Sequence, residues 1–337
     1  MKDFIICLLI VNSISTSYGY KLDYTMRNSN NFDKYLKDYG KSYNQHEYWK
    51  RLSIFNENAY YIYKSNLDTT KSYRLGINNF TDMTHEEFSK KYLNLKINTK
   101  TPHNYRKTQR IFKHKNHSIP KNVDWRASGL VTDVKNQGQC GSCWAFSAVG
   151  AIEGQHARHF NQLVSLSEQN LVDCAFKYNC DGCNGGFPDM AMKYVENNSG
   201  IDTELSYPYN GHDGTCHYNK SYNGAMVREV VKLPDGSMVD LYQALATVGP
   251  LSVCIDAERD FQMYSSGIFT SSSCSSSMLD HAVLAVGYGI SVNKTKYLII
   301  KNSWGPSWGM DGYIYFSSEI DNMCGVASYV SFPIIEQ

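Results

Sequence analysis

The segment Cys140-Gly141-Ser142-Cys143-Trp144 constrains this chain more than any other. It places a thiol where a helix begins. Trp144, Ala145, Ala148, Val149 and Ile152 recur at helical spacing, and Ser142 stands at the N-capping position. Cys143 then occupies the first turn, where the macrodipole and the free backbone N–H groups favour a thiolate. A thiolate is the nucleophilic form of cysteine. From these residues alone Cys143 is a catalytic nucleophile, half of a disulfide, or a structural metal ligand.

Two downstream segments supply the thiol with partners. Asp280-His281-Ala282-Val283-Leu284-Ala285-Val286-Gly287-Tyr288 and Tyr297-Leu298-Ile299-Ile300-Lys301-Asn302 both read as buried strands. The polar stretch from Gly289 to Lys296 between them reads as a hairpin loop. A turn centred near Ser291 and Val292 sets His281 opposite Asn302 at the open end. A lone histidine at a strand end is ordinarily structural. One that faces an Asn amide, in a chain carrying Cys143, fits a nucleophile–base arrangement.

These residues carry a family resemblance. Gln137-x-x-Cys140-Gly141-Ser142-Cys143-Trp144, Asp280-His281-Ala282 and Lys301-Asn302-Ser303-Trp304-Gly305 resemble the three active-site blocks of papain-like (cathepsin) cysteine proteases. His281 and Asn302 lie 138 and 159 residues after Cys143. Upstream, Glu47-x3-Arg51-x3-Phe55-x2-Asn58-x3-Ile62-x3-Asn66 matches the ERFNIN pattern of cathepsin L-type propeptides at every position. Gly76-Ile77-Asn78-Asn79-Phe80-Thr81-Asp82 matches the GxNxFxD block that follows it. The likeness runs from about Asn31 to the end of the chain. It implies an α+β, papain-like fold, with a helical domain and a β-barrel domain facing across an active-site cleft. Cys143 would come from one wall and His281 from the other.

Composition agrees with a secreted enzyme. The length of 337 residues accommodates a mature domain plus a removable segment. A net charge of +1 gives no electrostatic case for nucleic acid or an anionic membrane. Phe4 to Val11 is an apolar run after Lys2, and Ser17-Tyr18-Gly19 offers small residues for cleavage. Residues 1–19 therefore read as a signal peptide, too short for a membrane span, with Asp3 offsetting Lys2 in a weak n-region. Sequons at Asn79, Asn116, Asn197, Asn219 and Asn293 suit the secretory pathway, with a lysosomal or extracellular destination. The expected product is a soluble monomer without a cofactor.

Of ten cysteines, Cys7 leaves with the signal peptide. By resemblance to cathepsin L, Cys140 pairs with Cys183, Cys174 with Cys216 and Cys274 with Cys324, which leaves Cys143, Cys180 and Cys254 unpaired. An odd count in an oxidising compartment points to a free thiol. Cys140-x2-Cys143 and Cys180-x2-Cys183 superficially resemble a four-cysteine zinc site. Zinc would leave Gln137, His281 and Asn302 without a purpose, so no metal is expected.

Residues 20–118 read as an inhibitory propeptide and 119–337 as the mature peptidase. Phe32 to Leu67 has helical character interrupted only at Gly40, and the motif spacings keep the ERFNIN residues near one face. Asn94 to Ser118 is polar and reads as an extended, protease-accessible linker. The mature chain is expected to begin near Ile119-Pro120, because Val123-Asp124-Trp125-Arg126 resembles the family's mature N-terminus. Helices are expected over Ser167 to Cys174, with Ser167 as cap, and over Pro188 to Asn197; strands over Val227 to Leu233 and Leu251 to Ile255.

The resemblance also assigns roles. Cys143 as thiolate would attack a scissile carbonyl and His281 as imidazolium would protonate the leaving amine. Asn302 would orient the ring, Trp304 would shield that contact, and Gln137 would meet the oxyanion with the Cys143 N–H. Gly186, Phe187, Pro188, Cys254, Leu279, Asp280, Ala282, Tyr329 and Trp304 would line the substrate cleft. Tyr329 stands where cathepsin L places a small residue, so the second subsite would be shallow. Protein and peptide substrates, the chain's own propeptide and cystatin-like inhibitors would be its partners. Acid, at pH ~4–5, would weaken ion pairs of Arg51, Glu47 and Asp82 and release the propeptide. No His-His insertion of the cathepsin B kind lies between Gly186 and Cys254, and no cysteine lies in the linker, so an endopeptidase is favoured over an exopeptidase. The alternative is a non-catalytic papain-fold binding or structural protein.

Overall fold

The computed structural model describes residues 29–95, 97–98, 110–114 and 118–335. The expected signal peptide and the sequon at Asn116 lie outside the described residues. Two helices open the described chain, α1 (Ser29–Asp38) and α2 (Gln45–Asn66), with Asn44 capping the second by accepting from the Glu47 N–H. The break between them carries Gly40 at φ 60°, a left-handed turn that a Cβ would strain. Phe55, Asn58 and Ile62 share the buried face of α2, and Phe32, Tyr35, Leu52 and Phe55 form a small core against α1.

The polar motif residues hold the next stretch of chain. Asn66 brackets Leu75, donating to its carbonyl (2.8 Å) and accepting from its N–H (3.0 Å), which fixes β1 (Tyr73–Leu75). The Asn58 amide donates to the carbonyls of Thr81 and Met83, both at 2.8 Å. Arg51 pairs with Glu47 and Glu87, each at 2.7 Å, and donates to the Asp82 carbonyl at 2.8 Å. Glu87 also closes the capping box of α3 (His85–Tyr92) with Thr84. The ERFNIN residues thus fold the prosegment and fix the direction of α3.

After α3 the chain is not the free linker expected between Asn94 and Ser118. Its described parts dock: β2 (Ile97–Asn98) and β3 (Arg110–Ile111) both pair with strands further on, and Leu95 and Ile97 are buried. Its polar composition hid this, because backbone pairing needs no apolar periodicity.

The segment from 119 onward has two cores. One surrounds α4 (Cys143–Phe160), α5 (Glu168–Cys174) and α6 (Pro188–Asn198). Ser167 caps α5 by accepting from the Asn170 N–H at 2.9 Å, and Pro188 opens α6 at its first helical position. The other core lies around a ten-stranded sheet. That sheet is built from β1, β3 and β4 (Val123–Asp124) with later strands; β5 (Ile201–Asp202) and β6 (Asn223–Ala225) pair separately. Then come β7 (Val227–Lys232), α7 (Met238–Thr247), β8 (Leu251–Ile255) and β9 (Tyr264–Phe269). The chain finishes with β10 (Met278–Leu279), β11 (His281–Ile290), β12 (Lys296–Lys301), β13 (Tyr313–Ser317) and β14 (Val330–Ile335). The path across the sheet is β1-β9-β13-β12-β11-β8-β14-β7-β3, with β4 alongside β11. Both outermost strands, β1 and β3, come from the expected propeptide.

The structure joins Cys140 to Cys183, Cys174 to Cys216 and Cys274 to Cys324. Cys143, Cys180 and Cys254 are free and buried. With Cys140 and Cys183 bonded to each other, the four-cysteine zinc arrangement does not form. Among the described residues, no helix is long and apolar enough to cross a membrane.

Candidate active site

Cys143 opens α4, and the backbone N–H groups of Ala282, Trp144 and Cys143 itself face its sulfur. Ser142 does not cap this helix with its side chain, contrary to expectation. Its φ and ψ of −98° and 15° are not those of a capping residue, and its hydroxyl bonds the Tyr209 hydroxyl at 2.7 Å. Tyr209 in turn donates to the Gln137 carbonyl at 2.8 Å, so Ser142 braces the loop that leads into the helix.

The β11–β12 hairpin brings up the second wall. Its register differs from the expected one: Ile290 faces Lys296 and Leu284 faces Lys301, with a bulge between Ala285 and Gly287. The turn therefore centres on Asn293, and His281 lies beyond the paired ladder. It still meets Asn302, through side chains, at 2.9 Å from Nε2 to Oδ1. The same oxygen accepts the Ser303 N–H at 2.8 Å, so it is an acceptor and Nε2 carries the proton. That leaves Nδ1 as the basic nitrogen, with no protein partner among the described residues. The Trp304 ring stacks on His281 at 4.7 Å and 25°, and is itself buried. It closes the His281–Asn302 contact from solvent.

Gln137 is held at both ends of its amide. Oε1 accepts from the Ser303 hydroxyl at 2.7 Å, while Nε2 donates to the carbonyls of Cys140 (2.9 Å) and Tyr92 (3.3 Å). Ser303 was not singled out from sequence, although it lies between Asn302 and Trp304. Tyr92 belongs to α3, so a prosegment carbonyl shares the Gln137 donor with the Cys140 carbonyl.

The prosegment covers the whole site. Asn94 crosses Gly185, which at φ 117° has no room for a Cβ beneath the Asn94 carbonyl. The Leu95 N–H donates to the Asp280 carbonyl at 3.2 Å, and β2 pairs antiparallel with β10. Leu95 and Ile97 pack in one cluster with Cys143, Cys254, Leu279, Ala282 and Tyr329, with Phe187 at its margin. Ala282 and Cys254 are direct cross-strand neighbours, and the Cys254 N–H donates to the Tyr329 carbonyl. Pro188 is buried at the start of α6, and Gly186 lies against the Trp144 ring. The Asp280 carboxylate turns away to accept the Ala257 N–H at 2.8 Å, and burial pushes it up to about 8. On the far side Phe80 and Phe88 pack edge-on to Trp304 at 5.5 and 5.0 Å.

Burial decides the charge state beneath this cover. It pushes the Cys143 thiol up to about 12 despite the three N–H groups, and pulls His281 down to about 4 despite Asn302. Burial beneath this cover favours the uncharged form of each group.

The same architecture is found in proteins of known identity. The profile described as "Papain family cysteine protease" matches residues 119–334, and "Cathepsin propeptide inhibitor domain (I29)" matches 32–88. The chain belongs to the papain family of cysteine proteases. It is 46% identical over 319 residues to cathepsin L of Sarcophaga peregrina, covering 89% of this chain and 91% of that one. Procathepsin L of Rattus norvegicus is 46% identical over 297 residues, 86% of each chain. A digestive procathepsin L 3 from Tenebrio molitor larval midgut superposes with a TM-score of 0.84 at 36% identity, over 90% of this chain and 98% of that one. A recombinant stem bromelain precursor gives 0.83 at 34%, over 92% and 99%. The chain is therefore a papain-like, cathepsin L-like cysteine endopeptidase with an inhibitory propeptide, acting on protein substrates.

Proposed function

We propose that this endopeptidase is made in the secretory pathway as a latent zymogen, matures in acid, and cuts peptide bonds through Cys143 and His281. The observation that carries the reading is convergence. A helix-terminal thiol facing the Ala282 N–H, the adjacent His281 oriented by Asn302 with a free basic nitrogen, and a pinned Gln amide lie under a strand of the same chain. Once the prosegment leaves, water reaches the site and charge separation becomes favourable, so the thiol proton moves to His281 Nδ1. The thiolate attacks the scissile carbonyl carbon, and Gln137 Nε2 and the Cys143 N–H take the oxyanion. Imidazolium gives its proton to the leaving amine; water then hydrolyses the thioester with His281 as base. Maturation near Ile119 would release the prosegment. Acidified full-length protein should acquire activity on a peptide library, and a thiol alkylator should abolish it. Full activity at neutral pH before processing would refute the zymogen.

The proton transfer within the pair leaves the net proton count unchanged, so acid does not act there. It acts on the prosegment. Hydrogen bonds from Arg51 and Lys50, and from the Thr84 N–H, outweigh burial and hold the Glu87 carboxyl down to about 2. A depressed carboxylate stabilises the fold fully above its unfolded value, and that contribution fades as pH falls toward the folded value. The window here opens below pH ~4.5 and runs down to about 2, so only its upper part overlaps the range expected from sequence. Its size is about 1 kcal/mol after solvent screening. Glu87→Gln should therefore mature roughly fivefold faster than wild type at pH 6, with the two rates converging only as pH falls to about 2. Time courses of processing across that range, followed by gel, check this; parallel profiles would sink it.

A further inference from the structure

Maturation bares a second surface besides the cleft. In the zymogen the outer edge of β7 is covered by β3, which pairs with it in parallel, Arg110 facing Val231 and Ile111 facing Lys232. The Phe112 N–H extends the pairing by donating to the Lys232 carbonyl at 2.7 Å. Alternate side chains of this extended segment then find separate receptors. The Arg110 guanidinium pairs with Glu229 of β7 at 3.0 Å. The Phe112 ring sits edge-on to Phe332 of β14 at 6.0 Å. His114 Nδ1 donates to Asp240 Oδ1, in the first turn of α7, at 2.6 Å. Ile111 and Lys113, between them, face solvent.

We propose that in the mature enzyme this edge is a docking site outside the cleft for an extended segment of a protein substrate. Such a segment would carry a basic residue, an aromatic two positions on and a second basic residue two further. All three receptors and the pairing strand belong to the part that remains after maturation. They are built without the prosegment: β14 holds the inner edge of β7 over five paired positions from Val227 to Lys232. The Ser237 hydroxyl fixes Asp240 by donating to its second oxygen at 2.5 Å. An open strand edge offers unpaired N–H and C=O groups to an extended peptide, and alternating pockets supply the selectivity. The site is distinct from the cleft. β7 lies three strands from β11, which at ~4.8 Å per strand is about 14 Å from the His281 strand. A long substrate can therefore engage both, raising its effective concentration at the thiol.

The probe is a fluorescent peptide of residues 110–114 with glycines at each end, titrated into mature enzyme alkylated at its reactive thiol. Saturable binding is expected, absent for a scrambled peptide. Phe112→Ala in the peptide and Asp240→Asn in the enzyme should each weaken it at least about fivefold, and Glu229→Gln, at a more exposed pair, about twofold. Glu229 is a surface side chain, so its variant keeps the test open should Asp240→Asn disturb α7. With unblocked enzyme, excess peptide should slow cleavage of a long substrate bearing the pattern and leave a short peptide substrate untouched. Binding equal to that of the scrambled peptide, indifference to both enzyme variants, or inhibition of the short substrate would overturn the proposal. It rests on the maturation step proposed above. Absence of any peptidase activity would tell against that step, whereas binding to the alkylated protein reads the docking site alone.

Discussion

Cys143→Ala and His281→Ala are each expected to lower kcat/KM on a peptide substrate by on the order of 10⁶, with the protein still folded. Cys143→Ala removes a single buried sulfur that bonds no side chain essential to packing. His281→Ala leaves the Asn302 carbonyl still satisfied by the Ser303 N–H. The double variant should be no worse than either single one, because nucleophile and acid act as a unit. Asn302→Ala should be about a hundredfold less damaging. It removes the Nε2 partner but leaves the ring stacked on Trp304, so orientation is loosened and not lost. Measured rates on active-site-titrated proteins decide this. A Cys143→Ala protein retaining wild-type activity would end the assignment, and an Asn302→Ala protein as dead as His281→Ala would show that orientation alone is decisive.

The layout of this site was legible in sequence because it lies in short segments whose local geometry is self-determined. The helix starting at Cys143 and the hairpin strands were readable from periodicity. What failed was what depends on distant chain. The hairpin register assumed a regular ladder and a turn set by composition. Val286 bulges where Gly287 and Tyr288 also pair with β4, a strand more than 150 residues upstream, and Lys294 takes φ 64°, which its identity does not advertise. Ser142 looked like a cap until Tyr209 claimed its hydroxyl. Leu95 and Ile97 share the cluster that buries Cys143, and no local pattern encodes their placement. Ion pairing of Cys143 with His281 is the chemistry we propose for the open cleft, and burial beneath the prosegment opposes it.

We propose that Tyr329 floors the second subsite, where one such distant contact would sharpen specificity. Tyr329 on its own could swing out of the pocket, and then Phe would fit. Its hydroxyl, however, donates to Asp189 Oδ1 at 2.7 Å, and Asp189 Oδ2 pairs with Lys232 at 2.8 Å. The same ammonium lies 4.1 Å from the Tyr329 ring centroid. The ring is held from its edge and its face, inside a cluster that also contains Cys254, Leu279 and Ala282. A pocket floored by a fixed ring is short. Leu or Val at the substrate position one N-terminal to the cleaved residue should therefore exceed Phe by about tenfold in kcat/KM. Arg should be poorer still, because the Asp189 charge is already matched by Lys232. Tyr329→Ala should deepen the pocket and reverse the order of Leu and Phe. Tyr329→Phe keeps the depth and removes only the hydroxyl, so its preference should stay with Leu and Val while stability falls, Asp189 having lost a donor. These two variants separate pocket depth from the hydrogen bond that fixes it. Peptides differing only in Leu, Val, Phe or Arg at that position provide the measurement. A wild-type preference for Phe or Arg that Tyr329→Ala leaves unchanged would mean that the ring does not floor the pocket.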